Sequence, residues 1–294
     1  MPNTLSTNII NNKANVVACI DGSRYANAVA DAATWASLRL GAPLQLLHVP
    51  NKIPAPIPPD LSGSIGLGSQ EQLLAYLSDL DAKQNKQSSE RGRLLLEAAQ
   101  AHVLKSGVLA SPIQRHGDLL ETLVEFAPSS RLLVLGRHGA NSSVDSPNLG
   151  RHVEAITRAL PCPILLTKDY FKAPKKVLFA FDGGSRTREA ITQLANSPLL
   201  SGLEVHLVLV GEDNTEHQEQ MNWAQVMLQQ ADMTVLTRIL SGNVETTLSE
   251  YQSEFELEMM VMGAYGHSRI RQLLLGSITL SMIKQAKVPL LILR

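Results

Sequence analysis

Short apolar runs recur along the chain, separated by stretches in which apolar residues return every three or four positions. VVACI, LLVLG and PILLT in the first half, and VLFAF, VHLVLV, MMVM and LLIL in the second, carry no charge. Continuous apolar runs of this length fit strands buried on both faces, and the three-to-four spacing between them fits amphipathic helices. Strands alternating with helices predict a parallel sheet covered on both sides. In the second half the pattern predicts strands at 177–181, 205–210, 234–239, 258–262 and 290–293, with helices near 185–196, 216–231, 244–254 and 276–285. The first half follows the same order.

The chain repeats itself. Residues 16–49, VVACIDGSRYANAVADAATWASLRLGAPLQLLHV, align with 177–210, VLFAFDGGSRTREAITQLANSPLLSGLEVHLVLV. Asp21 matches Asp182 and Val49 matches Val210. Further on, Gly117 pairs with Gly242, Gly136 with Gly263 and Pro163 with Pro289. A repeat of this length is one folding unit used twice. The expected division is a flexible N-terminus at 1–14, a first domain at 15–170 and a second at 171–294, linked through TKDYFKAPKK. The first copy is longer between Val49 and Gly117, where a Pro, Gly and Ser segment at 50–70 leads into a long helical stretch. The closing strands PILLTK and PLLILR are apolar and expected at sheet edges, where they invite pairing with each other or with another chain.

Composition narrows the class. A chain of 294 residues, 44% hydrophobic and 18% charged with a formal net charge of −1, suits two globular domains and offers no basic face for nucleic acid. No apolar run approaches the roughly 20 residues of a spanning helix, and the N-terminus lacks the apolar core of a signal peptide. No membrane association and a cytoplasmic location are therefore expected. Cys19 and Cys162 stand far apart in sequence with no CxxC, which reads as two small buried thiols rather than a metal site or a disulfide.

The chemistry concentrates in GAYGHSRIRQLLLGS, residues 263–277, after the apolar run MMVM. Gly263 and Gly266 permit a loop to curl with amide hydrogens inward, and Gly276 with Ser277 opens a helix whose N-terminus attracts phosphate. In parallel sheets, ligands bind beyond the carboxyl ends of the strands where the strand order reverses. Asp182, ending the first strand of the second half, is placed there to accept ribose hydroxyls, and the main chain at Val210 to read an adenine edge. A structural turn accounts for the glycine trio equally well, and Asp182 before glycine also suits a turn or cap. Tyr265 reads as packing, and His267 and Arg269 as solvated loop positions. The chain has no Walker lysine loop, HExxH or GxSxG, and DGGSRT lacks the dinucleotide GxGxxG, so neither a catalytic residue nor a metal site is predicted.

These residues resemble the universal stress protein family in its tandem form over nearly the whole chain. The family pattern is an Asp ending the first strand and, after the fourth, Gly, two residues, Gly, nine residues, Gly and Ser or Thr; Gly263, Gly266, Gly276 and Ser277 satisfy it. The resemblance implies two flavodoxin-like α/β domains of the adenine nucleotide alpha hydrolase-like kind, each a five-stranded parallel sheet with helices on both faces. It also implies ATP, or ADP or AMP, with or without Mg²⁺. Asp182 would hold the ribose, Val210 the adenine, and Met262, Gly263, Gly266, Gly276, Ser277 and Ile278 the ribose and phosphates. The first half departs from the pattern. Gly136 and Gly139 are present, but Gly150 comes one residue late and Arg151 replaces Ser or Thr, so Asp21, Val49, Gly136 and Gly139 are weaker candidates for a second site.

The function expected is a stress-response protein that binds an adenine nucleotide in its second domain and changes partner contacts with nucleotide state. It is expected as a homodimer, the two domains of each chain pairing as a pseudo-dimer. A dimerising scaffold that binds no nucleotide is the alternative, and a slow ATPase the third reading.

Overall fold

The computed structural model describes residues 14–50, 67–138, 151–264 and 277–294. The first half runs β1 (Asn15–Cys19), α1 (Ala26–Leu40), β2 (Leu44–His48), α2 (Leu67–Leu104), β3 (Ala110–Gln114), α3 (Leu119–Phe126), β4 (Ser130–Gly136), α4 (Arg151–Ala159) and β5 (Ile164–Thr167). The second half repeats the order with β6 (Lys176–Phe181), α5 (Ser185–Ala195), β7 (Glu204–Val210), α6 (Thr215–Gln230), β8 (Thr234–Leu240), α7 (Val244–Glu254), β9 (Met259–Gly263), α8 (Ser277–Gln285) and β10 (Leu290–Leu293). The strands of the second half fall within a residue of their expected limits. Where β8 gives way to α7, Gly242 has φ of 133°, and Gly117, at the same place before α3, has 134°. The next residue caps the helix in both copies: Asp118 accepts from the main-chain N–H groups of Leu120 and Glu121, and Asn243 from those of Glu245 and Thr246. Such a cap satisfies amides that the helix itself leaves without partners.

Each half is a parallel sheet, ordered β3-β2-β1-β4-β5 and β8-β7-β6-β9-β10. The doubly wound α/β class is as expected. Within it the first strand of each half is central, giving the order 3-2-1-4-5 rather than the 2-1-3-4-5 of flavodoxin itself. The closing strands pair with each other: β5 and β10 run antiparallel with Leu165 opposite Leu291, making one ten-stranded sheet. The outer strands of that sheet are β3 and β8.

Alternate residues of the strands feed two cores. On one face Val16, Ala18, Leu165, Phe179, Leu207 and Leu291 pack with residues of α1, α2, α5 and α6. On the other, Val17, Leu133, Leu166, Met260 and Ile292 pack with residues of α3, α4, α7 and α8. Each core therefore continues across the β5–β10 seam. Cys162 is buried and Cys19 partly so; burial pushes the Cys162 thiol up to about 11 and raises that of Cys19 further.

Three arginines tie the halves together, each by donating to main-chain carbonyls. Arg39 on α1 reaches the carbonyls of Leu199 and Ser201. Arg137, which is 3% exposed, donates to Ala286 and Val288 just beyond α8. Arg294 returns the arrangement, its Nε lying 2.7 Å from the carbonyl of Leu160 just beyond α4. A cation at a helix C-terminus meets the negative end of the helix dipole and its free carbonyls. Burial still lowers the Arg137 pKa to about 10. Lysine lacks the planar fork that serves two carbonyls at once. Arg137→Lys is expected to destabilise the protein by about 1–3 kcal/mol, read as a lower urea midpoint at unchanged m-value.

A second buried polar group lies at the amino end of β7. His206, 2% exposed, is bonded through Nε2 to Glu204 and through Nδ1 to the Tyr251 hydroxyl, both at 2.9 Å, and packs against Phe255. A carboxylate only accepts, so Nε2 carries a proton and, in the neutral ring, Tyr251 donates to Nδ1. The hydrogen bond from His206, with Lys176 nearby, holds the Glu204 carboxyl below its usual 4.5. A depressed carboxyl contributes stability above its unfolded value, and that contribution fades as pH falls through the lower folded value. Glu204→Ala is expected to lower Tm by roughly 2–6 °C at neutral pH. The difference from wild type should narrow below about pH 4 in a pH series of melts, as the wild-type carboxyl itself takes up a proton.

Candidate functional site

The order β8-β7-β6-β9-β10 puts the reversal of strand order between β6 and β9, which themselves run parallel, and a cavity of about 320 Å³ opens at the carboxyl ends of β6, β7 and β9. That size lies within the range of small-molecule sites. Its wall comes from β6 and the turn after it (Ala180, Phe181, Asp182), β7 (Val208, Leu209, Val210) and β9 (Met262, Gly263). Helices supply Thr187, His217, Val244, Leu248, Ile278 and Thr279. Of the residues named from sequence for this half, Asp182, Val210, Met262, Gly263 and Ile278 line this space. Ser277 is the first residue of α8 and is exposed, beside Ile278 in the wall. Gly266 and Gly276 lie outside the described residues, as do Tyr265, His267, Arg269 and most of the 50–70 segment.

Asp182 shapes its own turn. Its Oδ1 accepts the Gly184 N–H at 3.0 Å and meets the Thr187 hydroxyl. Gly184 is the N-cap of α5, so the carboxylate fixes how that helix leaves β6. The turn role and the place in the cavity wall thus belong to the same side chain. Gly263 does not have a positive φ. A side chain there would begin 3.1 Å from Thr187 Cγ2, so it is the close approach of α5 to the end of β9 that favours glycine. Thr279, 2% exposed, has its hydroxyl 3.4 Å from the carbonyls of Gly263 and Ala264, seating α8 against the end of β9.

Thr187, Thr279 and His217 were not singled out from sequence. Thr187 sits in DGGSRT beside the quoted Asp, and Thr279 two residues beyond Ser277, so proximity to a motif was the available signal. His217 had no comparable signal, since its approach to the cavity depends on how α6 leaves β7.

The equivalent space of the first half is furnished differently. Asp21 makes the same kind of turn, accepting the Ser23 N–H at 3.0 Å. Against Gly136, however, stands Tyr25: a side chain at Gly136 would begin 2.9 Å from Tyr25 Cβ. The Tyr25 hydroxyl lies 3.3 Å from His138 Nδ1 and 3.1 Å from an Arg24 nitrogen. Burial, then the charges of Arg137, Arg24 and Lys168, lower the pKa of His138. The strand ends are also bridged, because His48 donates from Nδ1 to the Ile20 carbonyl at 2.7 Å, where the second half has Leu209. Val49 follows, partly buried. Gly92 of α2 packs over His48 and Gln114, and Arg91 approaches Gly22. Gly139 and Gly150 lie outside the described residues.

Among the described residues no three His, Cys, Asp or Glu side chains form a group able to hold a metal ion, and no helix is long and apolar enough to cross a membrane.

The sequence pattern of the Universal stress protein family matches residues 14–168 and again 174–294. Over 285 residues the chain is 33% identical to the universal stress protein Slr1230 of Synechocystis sp., an alignment covering 95% of this chain and 99% of that protein. A solved universal stress protein from Archaeoglobus fulgidus superposes with a TM-score of 0.71 at 18% identity, over 95% of this chain and 98% of its own. A Pseudomonas aeruginosa protein of unknown function gives 0.59 at 15% identity, over 98% and 94%. At such identities the two structures speak to the fold alone. The chain belongs to the universal stress protein family, whose domain pattern it carries twice.

Proposed function

We propose that the second half binds an adenine nucleotide, ATP foremost with ADP or AMP as relatives, and that the bound state alters contacts with partner proteins. The observation that carries this reading is the cavity at the β6, β7 and β9 ends, walled by Asp182, Val210, Met262, Gly263 and Ile278, with α8 beginning at its rim. The aliphatic wall around Val210 suits a flat base, Asp182 stands where ribose hydroxyls need an acceptor, and Ser277 opens a helix whose free amides suit phosphates. Gly266 and Gly276 complete the cradle in this proposal. Mg²⁺, when present, would ride on the phosphates with Asp182 nearby. The first half, with Tyr25 against Gly136 and bonded to His138, and with His48 tied to the Ile20 carbonyl at the corresponding strand ends, is proposed not to share this ligand.

The scaffold reading keeps a place for the homodimer expected from sequence. With β5 and β10 paired to each other, a second chain that extends the sheet would add to β3 or β8. Pro112 interrupts β3, whereas β8 has no proline and carries Leu236 41% exposed. Slow hydrolysis ranks third and would require turnover that falls when Asp182 becomes Asn.

Ser277→Glu separates binding from folding. An acidic residue in the first turn favours the helix, yet it places like charge against a polyphosphate. Isothermal titration is expected to show ATP bound by the native protein and weakened about tenfold or more in the variant, at unchanged or higher Tm. Equal ATP affinity in the two proteins would overturn this placement of the phosphates.

A further inference from the structure

In the β7 end of the cavity wall, Val208, Leu209, Val210, Val244 and Leu248 are aliphatic, and the polar side chain among them is His217. Its position is fixed from three directions. Its main-chain N–H donates to the Asn214 cap of α6 at 2.8 Å, and its Nδ1 lies 2.6 Å from the carbonyl oxygen of Glu212. Its Cε1 is 3.2 Å from where a side chain on Gly211 would begin, so the ring rests directly on the residue that follows Val210.

The tautomer follows from this geometry. A carbonyl oxygen only accepts, so Nδ1 carries the proton, and in the neutral imidazole Nε2 is left as a lone-pair acceptor on the distal edge of the ring. Among the described residues Nε2 has no hydrogen-bond partner in the structure. An aliphatic wall with one oriented acceptor discriminates by what a ligand can donate to it. A base bearing an exocyclic amine supplies an N–H. A base with a carbonyl at the same place sets one acceptor against another, and both lose water without gaining a bond.

We infer that His217 is a specificity-determining residue that selects 6-aminopurines, its Nε2 accepting an N–H of the exocyclic amine. The inference rests on the reading of this cavity as an adenine nucleotide site, and it adds a side-chain selector to the main-chain contact proposed at Val210. Asn214 and Glu212 act here as positioning groups: Asn214 holds the main chain of His217, and the Glu212 carbonyl holds the ring through Nδ1 and leaves Nε2 as the acceptor.

Equilibrium titration of the full chain with ATP and with purine riboside 5′-triphosphate, which differs from ATP by loss of the 6-amino group alone, tests it. His217→Phe keeps a flat ring against Gly211 and removes both nitrogens; His217→Leu is the second variant. The native protein is expected to prefer ATP, and the ratio of the two dissociation constants to shrink by about tenfold in His217→Phe. An unchanged ratio with both ligands still bound overturns the selector while leaving the nucleotide reading intact. Loss of both ligands in both variants also overturns it, making His217 a wall residue rather than a discriminating one. If the native protein binds neither compound at millimolar concentration, the nucleotide reading falls and the selector with it.

Discussion

Two four-residue strands, β5 and β10, are buried along their whole length, and each has its own half-sheet on one side and the other strand on its second side. An apolar strand left at an edge exposes a row of unpaired amides and carbonyls to any passing chain. Here that row is closed within the molecule. Because the pairing is antiparallel while each half is parallel, the strands of the two halves point in opposite directions, and their carboxyl ends lie on opposite rims of one sheet. The second-half cavity and its first-half counterpart therefore do not share a rim.

The arginines follow from the same geometry. The carboxyl end of β4 comes beside the far end of α8, and Arg137 fills that place by donating to the carbonyls beyond the helix. Arg294 does the same beyond α4 from the last residue of the chain. Each half thus terminates the other's last helix. The opposite end of α8 opens at the rim of the cavity, so one short helix has a protein cation at its negative end and the candidate phosphate site at its positive one.

The two copies also show how little chemistry a shared backbone imposes. Asp21 and Asp182 make matching turns, and Gly117 and Gly242 have almost the same φ. Yet Tyr25 stands against Gly136 where Thr187 stands against Gly263, and His48 ties two strand ends where Leu209 lines a cavity. The turns are dictated by φ and by local hydrogen bonds, which few residue types satisfy. The cavity depends on side-chain bulk at a handful of positions, which the fold leaves open to change.

Much of this was legible in the sequence because its causes are local. Strand limits came from apolar run length, helices from the three-to-four spacing of apolar residues, and the internal repeat from matched glycines, aspartates and prolines. The grouping of Asp182, Val210 and Gly263 near one sheet end followed from general rules for parallel sheets, and Met262 was added by the family resemblance. What the sequence could not decide were relations between distant segments. Whether PILLT and PLLIL would meet each other or another chain has no local signal, since both outcomes bury the same apolar side chains. That Gly263 answers to Thr187 rather than to a positive φ, and that His217 turns its ring onto Gly211, depend on where α5 and α6 pack. Those positions are settled by the fit of whole helices against the sheet, and only the tertiary structure contains them.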